Sequence, residues 1–172
     1  MTSRVALGGP AAARRHREAV LALLAADPHD AWGSERPAIY DRHCARAGFL
    51  FVSAIRDGAL VGFCYGYRLT EEDWWRNQLL WQLSPADQPV VAAGAFSVVE
   101  LHVAEAARRR GLGRRLLRRV VAAAGGGPLT LTVRSDNEPA IALYRSEGWR
   151  TTEPEGITFA GSAIAYDLMA LD

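Results

Sequence analysis

The sequence predicts an α/β chain (α+β by some schemes): one mixed, mostly antiparallel sheet with helices on both faces and a central parallel βαβ unit. Three observations carry this. Residues 49–55 and 60–67 are apolar, strand-like runs joined by Arg56-Asp57-Gly58, whose glycine can take positive φ, so they read as a hairpin. Residues 95–103 and 129–133 are strand-like and flank an amphipathic helical stretch, and such a crossover joins parallel strands. Finally, apolar segments recur through all 172 residues, with 49% hydrophobic content, which suits a single domain over residues 1–172 rather than a disordered chain.

Taken in order, residues 3–7 read as a short strand. Pro10 opens a helix to about Ala26, with Ala19, Val20, Leu23 and Leu24 on one face. Ser34 is placed to cap a second helix reaching about Ala47, with Gly48 as its stop. After the hairpin, in which Gly62 and Gly66 suggest close backbone approach or a bulge, a short helix runs from Glu71 to Trp81. A helix is expected from about Arg109 to Ala124, with Leu112, Leu116, Leu117, Val120, Val121 and Ala124 as its buried stripe. Residues 136–147 form another helix, with Pro139 in its first turn and Gly148 at its end, and residues 149–152 and 163–169 close the chain as two strands.

Composition narrows the function. The net charge is +1, which argues against a general nucleic-acid binder. All 20 basic residues are arginine, so lysine Schiff-base and P-loop lysine chemistry are excluded. Two cysteines, Cys44 and Cys64, make no disulfide framework, and neither they nor the four scattered histidines suggest a metal site. No apolar run approaches the roughly 20 residues of a membrane span, and the N-terminus lacks a signal-peptide pattern, so a cytoplasmic protein without membrane partners is expected.

The most informative stretch follows the strand 95–103. Val103-Ala-Glu-Ala-Ala-Arg108-Arg109-Arg110-Gly111-Leu112-Gly113 runs into Arg114 and the amphipathic helix, and seven arginines lie between Arg108 and Arg119. Glycines without Cβ and the free N–H groups of a helix start suit a phosphate group, most naturally a pyrophosphate. A P-loop would need Gly-Lys-Ser/Thr, and a dinucleotide fingerprint a third glycine. Arg108, Arg109 and Arg110 stand beside the free N–H groups, whereas Arg115, Arg118 and Arg119 read as a solvated helix face.

Arg108-x-x-Gly111-x-Gly113 resembles the (Gln/Arg)-x-x-Gly-x-(Gly/Ala) signature of the GCN5-related N-acetyltransferases (GNAT superfamily). Asn137-Glu-Pro-Ala-Ile-Ala-Leu-Tyr-Arg-Ser-Glu-Gly-Trp149 is similar to that family's Asn-x-x-Ala-x-x-Leu-Tyr-x-x-x-Gly-(Phe/Tyr/Trp) segment. The resemblance is specific over residues 95–150 and looser before them. It implies an acetyl-CoA-dependent N-acetyltransferase. The backbone of Leu101, His102 and Val103 would pair with the pantetheine arm of coenzyme A. The N–H groups of Arg109, Arg110, Gly111, Leu112, Gly113 and Arg114 would hold its pyrophosphate. Asn137 would contact the cofactor or a nearby water, and Tyr144 would sit by the sulfur.

Transfer to an amine needs a proton acceptor, because alkylamines are mostly protonated at neutral pH, and the leaving thiolate gains from a proton donor. Tyr144 is the candidate acid. Glu100, interrupting an apolar strand, is the candidate base or else a carboxylate paired with an arginine. His102 shares its face in a regular strand and is the alternative base. A buried cysteine is a poor acetyl carrier, so direct transfer in a ternary complex is expected.

The family places its acceptor near the segments corresponding here to residues 29–38, 68–93 and 153–162. Trp32, Glu71, Asp73, Trp74 and Trp75 are the candidate acceptor contacts, since carboxylates and aromatic faces suit a cation; alternatively, the tryptophans, including Trp81, anchor a helix. The expected partner is a small-molecule amine, with a protein or peptide N-terminus as the alternative acceptor, a non-catalytic acyl-CoA sensor as the rival class, and a homodimer allowed.

Overall fold

The computed structural model of the protein describes residues 3–28, 33–159 and 163–171. In chain order its elements are β1 (Arg4–Gly8), α1 (Pro10–Arg15), α2 (Arg17–Ala25), α3 (Arg36–Cys44), β2 (Leu50–Arg56), β3 (Ala59–Arg68), α4 (Trp74–Leu80), β4 (Phe96–Val103), α5 (Leu112–Ala124), β5 (Leu129–Arg134), α6 (Glu138–Ser146), β6 (Arg150–Thr151), β7 (Ile157–Thr158) and β8 (Ala165–Leu171). The pairs β1–β2, β2–β3, β5–β8, β6–β8 and β7–β8 are antiparallel and β4–β5 is parallel, which is the mixed, mostly antiparallel arrangement expected. The chain divides into two compact units, one of Met1–Tyr67 with Val99–Gly125, the other of Arg68–Val98 with Gly126–Asp172. By sequence the first holds 15 arginines against 8 carboxylates, net +7, and the second 5 against 11, net −6.

In the first unit, Asp57 (φ 53°) and Gly58 (φ 79°) make the tight turn between Arg56 and Ala59, which pair directly. The register shifts where Ala54 pairs with Gly62 but Ile55 with Leu60, leaving Val61 as the extra residue of a bulge. Both faces of this hairpin are covered. Phe51, Phe63 and Tyr65 stack along one face with His16, Tyr40 and His43. Gly62 points to the other, where an added Cβ would meet Leu116 Cδ1 of α5 at 3.2 Å and the His102 carbonyl oxygen at 3.0 Å. The expected stripe of α5 is buried at Leu112, Leu116, Leu117, Val120 and Ala124, and half-buried at Val121.

In the second unit, Phe96, Ser97 and Val98 pair with Leu129, Thr130 and Leu131, and β8 lies on the other side of β5. Buried Asp87 binds Arg150 Nη1 (2.8 Å) and the Glu153 N–H (2.9 Å), tying the 3₁₀ turn Gln88–Val91 to the segment after β6. Burial alone would raise its carboxyl's pKa, but these hydrogen bonds outweigh it and hold the value below the ordinary one.

Several local expectations are corrected. The helix from Pro10 breaks at His16, whose ψ of 8° splits it into α1 and α2, although helical bonds resume at Val20 N to His16 O. Ala19 is exposed. Ser34 caps nothing, because Gly33–Glu35 is a 3₁₀ turn and Glu35 precedes α3. The helix expected from Arg109 starts at Leu112, because Arg109 (φ 61°) and Gly111 (φ 71°) are left-handed. The C-terminal region forms three strands, β7 being too short to leave a periodic signal. Among the described residues no helix is long and apolar enough to cross a membrane.

Candidate active site

In the first unit, β4 ends in a tightly tied turn. Ala104 N–H binds the carbonyl of Val61, the bulge residue, and Ala107 N–H binds that of Ala104. Arg108 Nε donates to the Val103 carbonyl at 2.9 Å, so this side chain folds the loop back onto its own strand. With Gly111 as the left-handed residue before α5, the first intrahelical bond runs from Arg115 N–H to the Gly111 carbonyl. The N–H groups of Leu112 and Gly113 precede that bond and gather at the positive end of a 13-residue helix. That is chemistry for an anion, and any Cβ at position 111 would strain the left-handed backbone.

Arg109, Arg110 and Arg114 are exposed beside this helix start. Farther along α5, Arg115, Arg118 and Arg119 are exposed as expected and line a shallow groove with Val5 and Ala122, and Arg115 donates to the Ser3 carbonyl at 3.1 Å.

Upstream on β4, alternation places Glu100 and His102 on one face, and the structure brings them together: Glu100 Oε2 is 3.2 Å from His102 Nε2. Glu100 Oε1 accepts from Arg36 Nη1 at 2.6 Å. Phe63 lies nearly parallel to the His102 ring, with centroids 5.6 Å apart. Leu101 and Val103 take the intervening positions and are half-buried. Arg36 was missed from sequence. It lies 64 residues from Glu100, and its only local signal is its position as the first residue of a helix with proline second.

His43, from α3, hydrogen-bonds through Nδ1 to the Tyr65 hydroxyl at 3.1 Å, and burial pushes its pKa down to about 4. Both cysteines are buried, and burial pushes each thiol's pKa up.

The second unit carries the other predicted residues. Asn137 precedes α6, and its Oδ1 accepts the Ala140 N–H at 3.3 Å, so its visible work is to cap the helix. Tyr144 is buried one turn from the end of α6. There Trp149 N–H binds the Tyr144 carbonyl and Gly148 N–H that of Arg145, with Gly148 at φ 88°. This Schellman closure is the physical reason for glycine four residues after the tyrosine. Trp149 then tilts its ring against Tyr144, with centroids 6.2 Å apart.

Around α4 the candidate acceptor residues separate. Asp73 is buried, and its Oδ2 accepts the Thr70 N–H at 2.6 Å and the Thr70 hydroxyl at 3.3 Å. Glu71 is exposed, Trp75 half-buried and Trp74 55% exposed. Trp74 continues into an aromatic series with Phe159 and Tyr166. Trp81 is 89% exposed and anchors nothing, while Leu79 and Leu83 are buried instead. Trp32 lies outside the described residues. Elsewhere in this unit an open cavity of about 520 Å³ is bordered by Glu138, Arg145, Glu155 and Asp167.

A comparison with known families matches the acetyltransferase (GNAT) family over residues 17–149. The chain belongs to this family. A GNAT relative, the N-alpha-acetyltransferase RimI of Mycobacterium tuberculosis, is 35% identical over 114 residues, 66% of this chain and 60% of that protein. The chain thus spans about 60% of the length of this curated relative. Two solved structures share the GNAT fold. One is yncA of Salmonella typhimurium with its cofactor acetyl-CoA, with a TM-score of 0.65, 19% identity, and coverage of 100% of this chain and 94% of that one. The other is the ribosomal-protein-S18-alanine N-acetyltransferase of Escherichia coli, with a TM-score of 0.67, 17% identity, and coverage of 99% and 93%.

Proposed function

We propose that the protein is an acetyl-CoA-dependent N-acetyltransferase, acting as one catalytic domain over residues 1–172 in the cytoplasm. Acetyl-CoA supplies the activated acetyl group, and the transfer to a primary amine is direct, within a ternary complex. The observation that carries the reading is the left-handed Gly111 opening α5, which turns the N–H groups of the helix start together in the stretch matching the family's signature.

In this reading the N–H groups of residues 109–114 hold the pyrophosphate and the backbone of Leu101, His102 and Val103 pairs with the pantetheine arm. Arg109 and Arg110 add positive charge, whereas the Arg108 side chain shapes the loop through the Val103 carbonyl. Asn137 fixes the start of α6 beside the cofactor. The Glu100–His102 pair takes the proton that the attacking amine loses. Tyr144 gives a proton to the departing sulfur. The raised thiols of Cys44 and Cys64 weigh against an acetyl-cysteine route.

The acceptor is a small-molecule amine, approached by Trp74, Trp75 and Glu71, with Asp73 shaping the turn before α4 rather than meeting the amine. Trp32 is retained as a candidate contact by its place in the sequence. A polypeptide N-terminus is the second reading, favoured by the 35% identity to an N-alpha-acetyltransferase. Thiol release from acetyl-CoA with phenethylamine, spermidine and a hexapeptide amide as acceptors separates the two readings. Release with none of the three, together with no heat of binding for acetyl-CoA, would overturn the transferase reading. Tyr144→Phe should lower kcat by about 100-fold with little change in KM for acetyl-CoA; an unchanged kcat removes its role as acid.

A further inference from the structure

The contacts around Glu100 assign different tasks to the two members of the proton-accepting pair. Glu100 is held at both oxygens: Oε1 by Arg36 Nη1 at 2.6 Å, Oε2 by His102 Nε2 at 3.2 Å. The three side chains are only 10%, 16% and 16% exposed. A second carboxylate faces the same imidazole nitrogen, since Asp27 Oδ2 lies 4.0 Å from His102 Nε2. Ionised carboxylates only accept hydrogen bonds, so their placement favours the neutral tautomer with its proton on Nε2 and its lone pair on Nδ1. The flat contact with Phe63 fixes the plane of the ring.

Where the amine's proton goes follows from these charges. Placed on Glu100, it would cancel the negative charge that Arg36 Nη1 meets at 2.6 Å and weaken a part-buried ion pair. Placed on Nδ1, it makes an imidazolium whose Nε2 lies 3.2 Å from Glu100 Oε2 and 4.0 Å from Asp27 Oδ2, between two negative charges. The half-buried histidine of α3, His43, already spends Nδ1 on Tyr65, and desolvation disfavours its charged form.

We infer that His102 Nδ1, not Glu100, takes the amine's proton, that Glu100 is the positioning residue for His102, and that Arg36 is the positioning residue for Glu100. The inference rests on the transferase reading and divides the labour within its Glu100–His102 pair. The amine nitrogen's lone pair forms the C–N bond to the thioester carbon, the C–S bond breaks with its electron pair on sulfur, and Tyr144 protonates that sulfur. The proton shed by nitrogen goes to Nδ1; afterwards the imidazolium gives a proton to bulk water and the tyrosinate takes one from it.

The test uses the full chain, acetyl-CoA and whichever of phenethylamine, spermidine or the hexapeptide amide turns over fastest. His102→Ala should lower kcat about 100-fold, leave KM for acetyl-CoA within threefold, and regain at least tenfold with added imidazole. Glu100→Gln and Arg36→Met should each lose about tenfold without recovery in imidazole, and Arg36→Lys should recover most of the Arg36→Met loss. A His102→Ala variant within threefold of the parent, or one that imidazole does not restore, overturns the assignment. Independently of turnover, ¹⁵N spectra of the parent imidazoles, with His102 assigned by its loss in His102→Gln, should show the Nε2–H tautomer for His102. The Nδ1–H tautomer overturns the inference even if transfer is confirmed. Absence of turnover with all three amines, together with no heat of binding for acetyl-CoA, fails the transferase reading instead, and the tautomer still decides the arrangement.

Discussion

Trp149 buries its indole Nε1–H without a hydrogen-bond partner among the described residues. A stranded buried donor costs about 1–3 kcal/mol. Phenylalanine would remove that donor but give up ring volume, and the two effects are opposed and of similar size. Trp149→Phe should therefore change the free energy of urea unfolding by less than about 1 kcal/mol, against about 3–5 kcal/mol for Trp149→Ala. A large loss in the phenylalanine variant would mean that the indole N–H is satisfied in solution. His43 makes a second point at this scale. Its ordinary value is 6.5, and in the fold burial lowers it to about 4. Between these values the unfolded chain binds a proton that the folded chain refuses, so stability falls as pH drops from about 6.5 towards 4. Thermal melts of His43→Gln across that window should show a flatter acid limb, by roughly 2–3 kcal/mol at its low end. An unchanged limb would show that this imidazole is not kept neutral by burial.

Among the elements, the hairpin of β2 and β3 governs how β4 and α5 are seated. The bulge at Val61 gives its carbonyl to Ala104, and the missing side chain at Gly62 makes room for the His102 carbonyl and Leu116. Gly62→Ala would push a Cβ to 3.0 Å from a backbone oxygen, which can yield only if β4 shifts. We expect a loss of about 1–3 kcal/mol in stability, and weaker acetyl-CoA binding by calorimetry, because the strand's end and the following helix start move together. Full stability with parental affinity would contradict the packing. The glycines of β3 made this approach legible, as the apolar pattern did β4 and α5. The starts and breaks of the helices were less legible. His16 interrupts a helix whose composition favours continuity, and Arg109 adopts a left-handed backbone that no arginine advertises. Such conformations are imposed by packing and by neighbouring residues rather than by local preference.

For the molecule as a whole, legibility follows distance along the chain. The Arg108-to-Gly113 motif is contiguous and could be read directly, though not the residue at which α5 begins, and Glu100 with His102 followed from strand alternation. Arg36 could not be paired with Glu100 from sequence, because nothing local links residues so far apart. Near α4, composition grouped Asp73 with the tryptophans, yet the backbone of Thr70 claims its carboxylate and Trp81 stands in solvent. Charge shows the same limit: a net +1 reads as balance but conceals +7 in one compact unit and −6 in the other. Nearly neutral molecules built this way attract one another, each copy's basic unit drawn to another's acidic one, and dissolved ions mask the attraction. The protein should therefore be salted in. Light scattering near neutral pH is expected to show a second virial coefficient that rises as sodium chloride is raised from about 10 to 200 mM, the range over which the screening length shrinks from about 30 Å to below 10 Å. A coefficient that stays flat or falls would mean that the two charge populations are not presented to solvent, and concentrated stocks would then gain nothing from added salt.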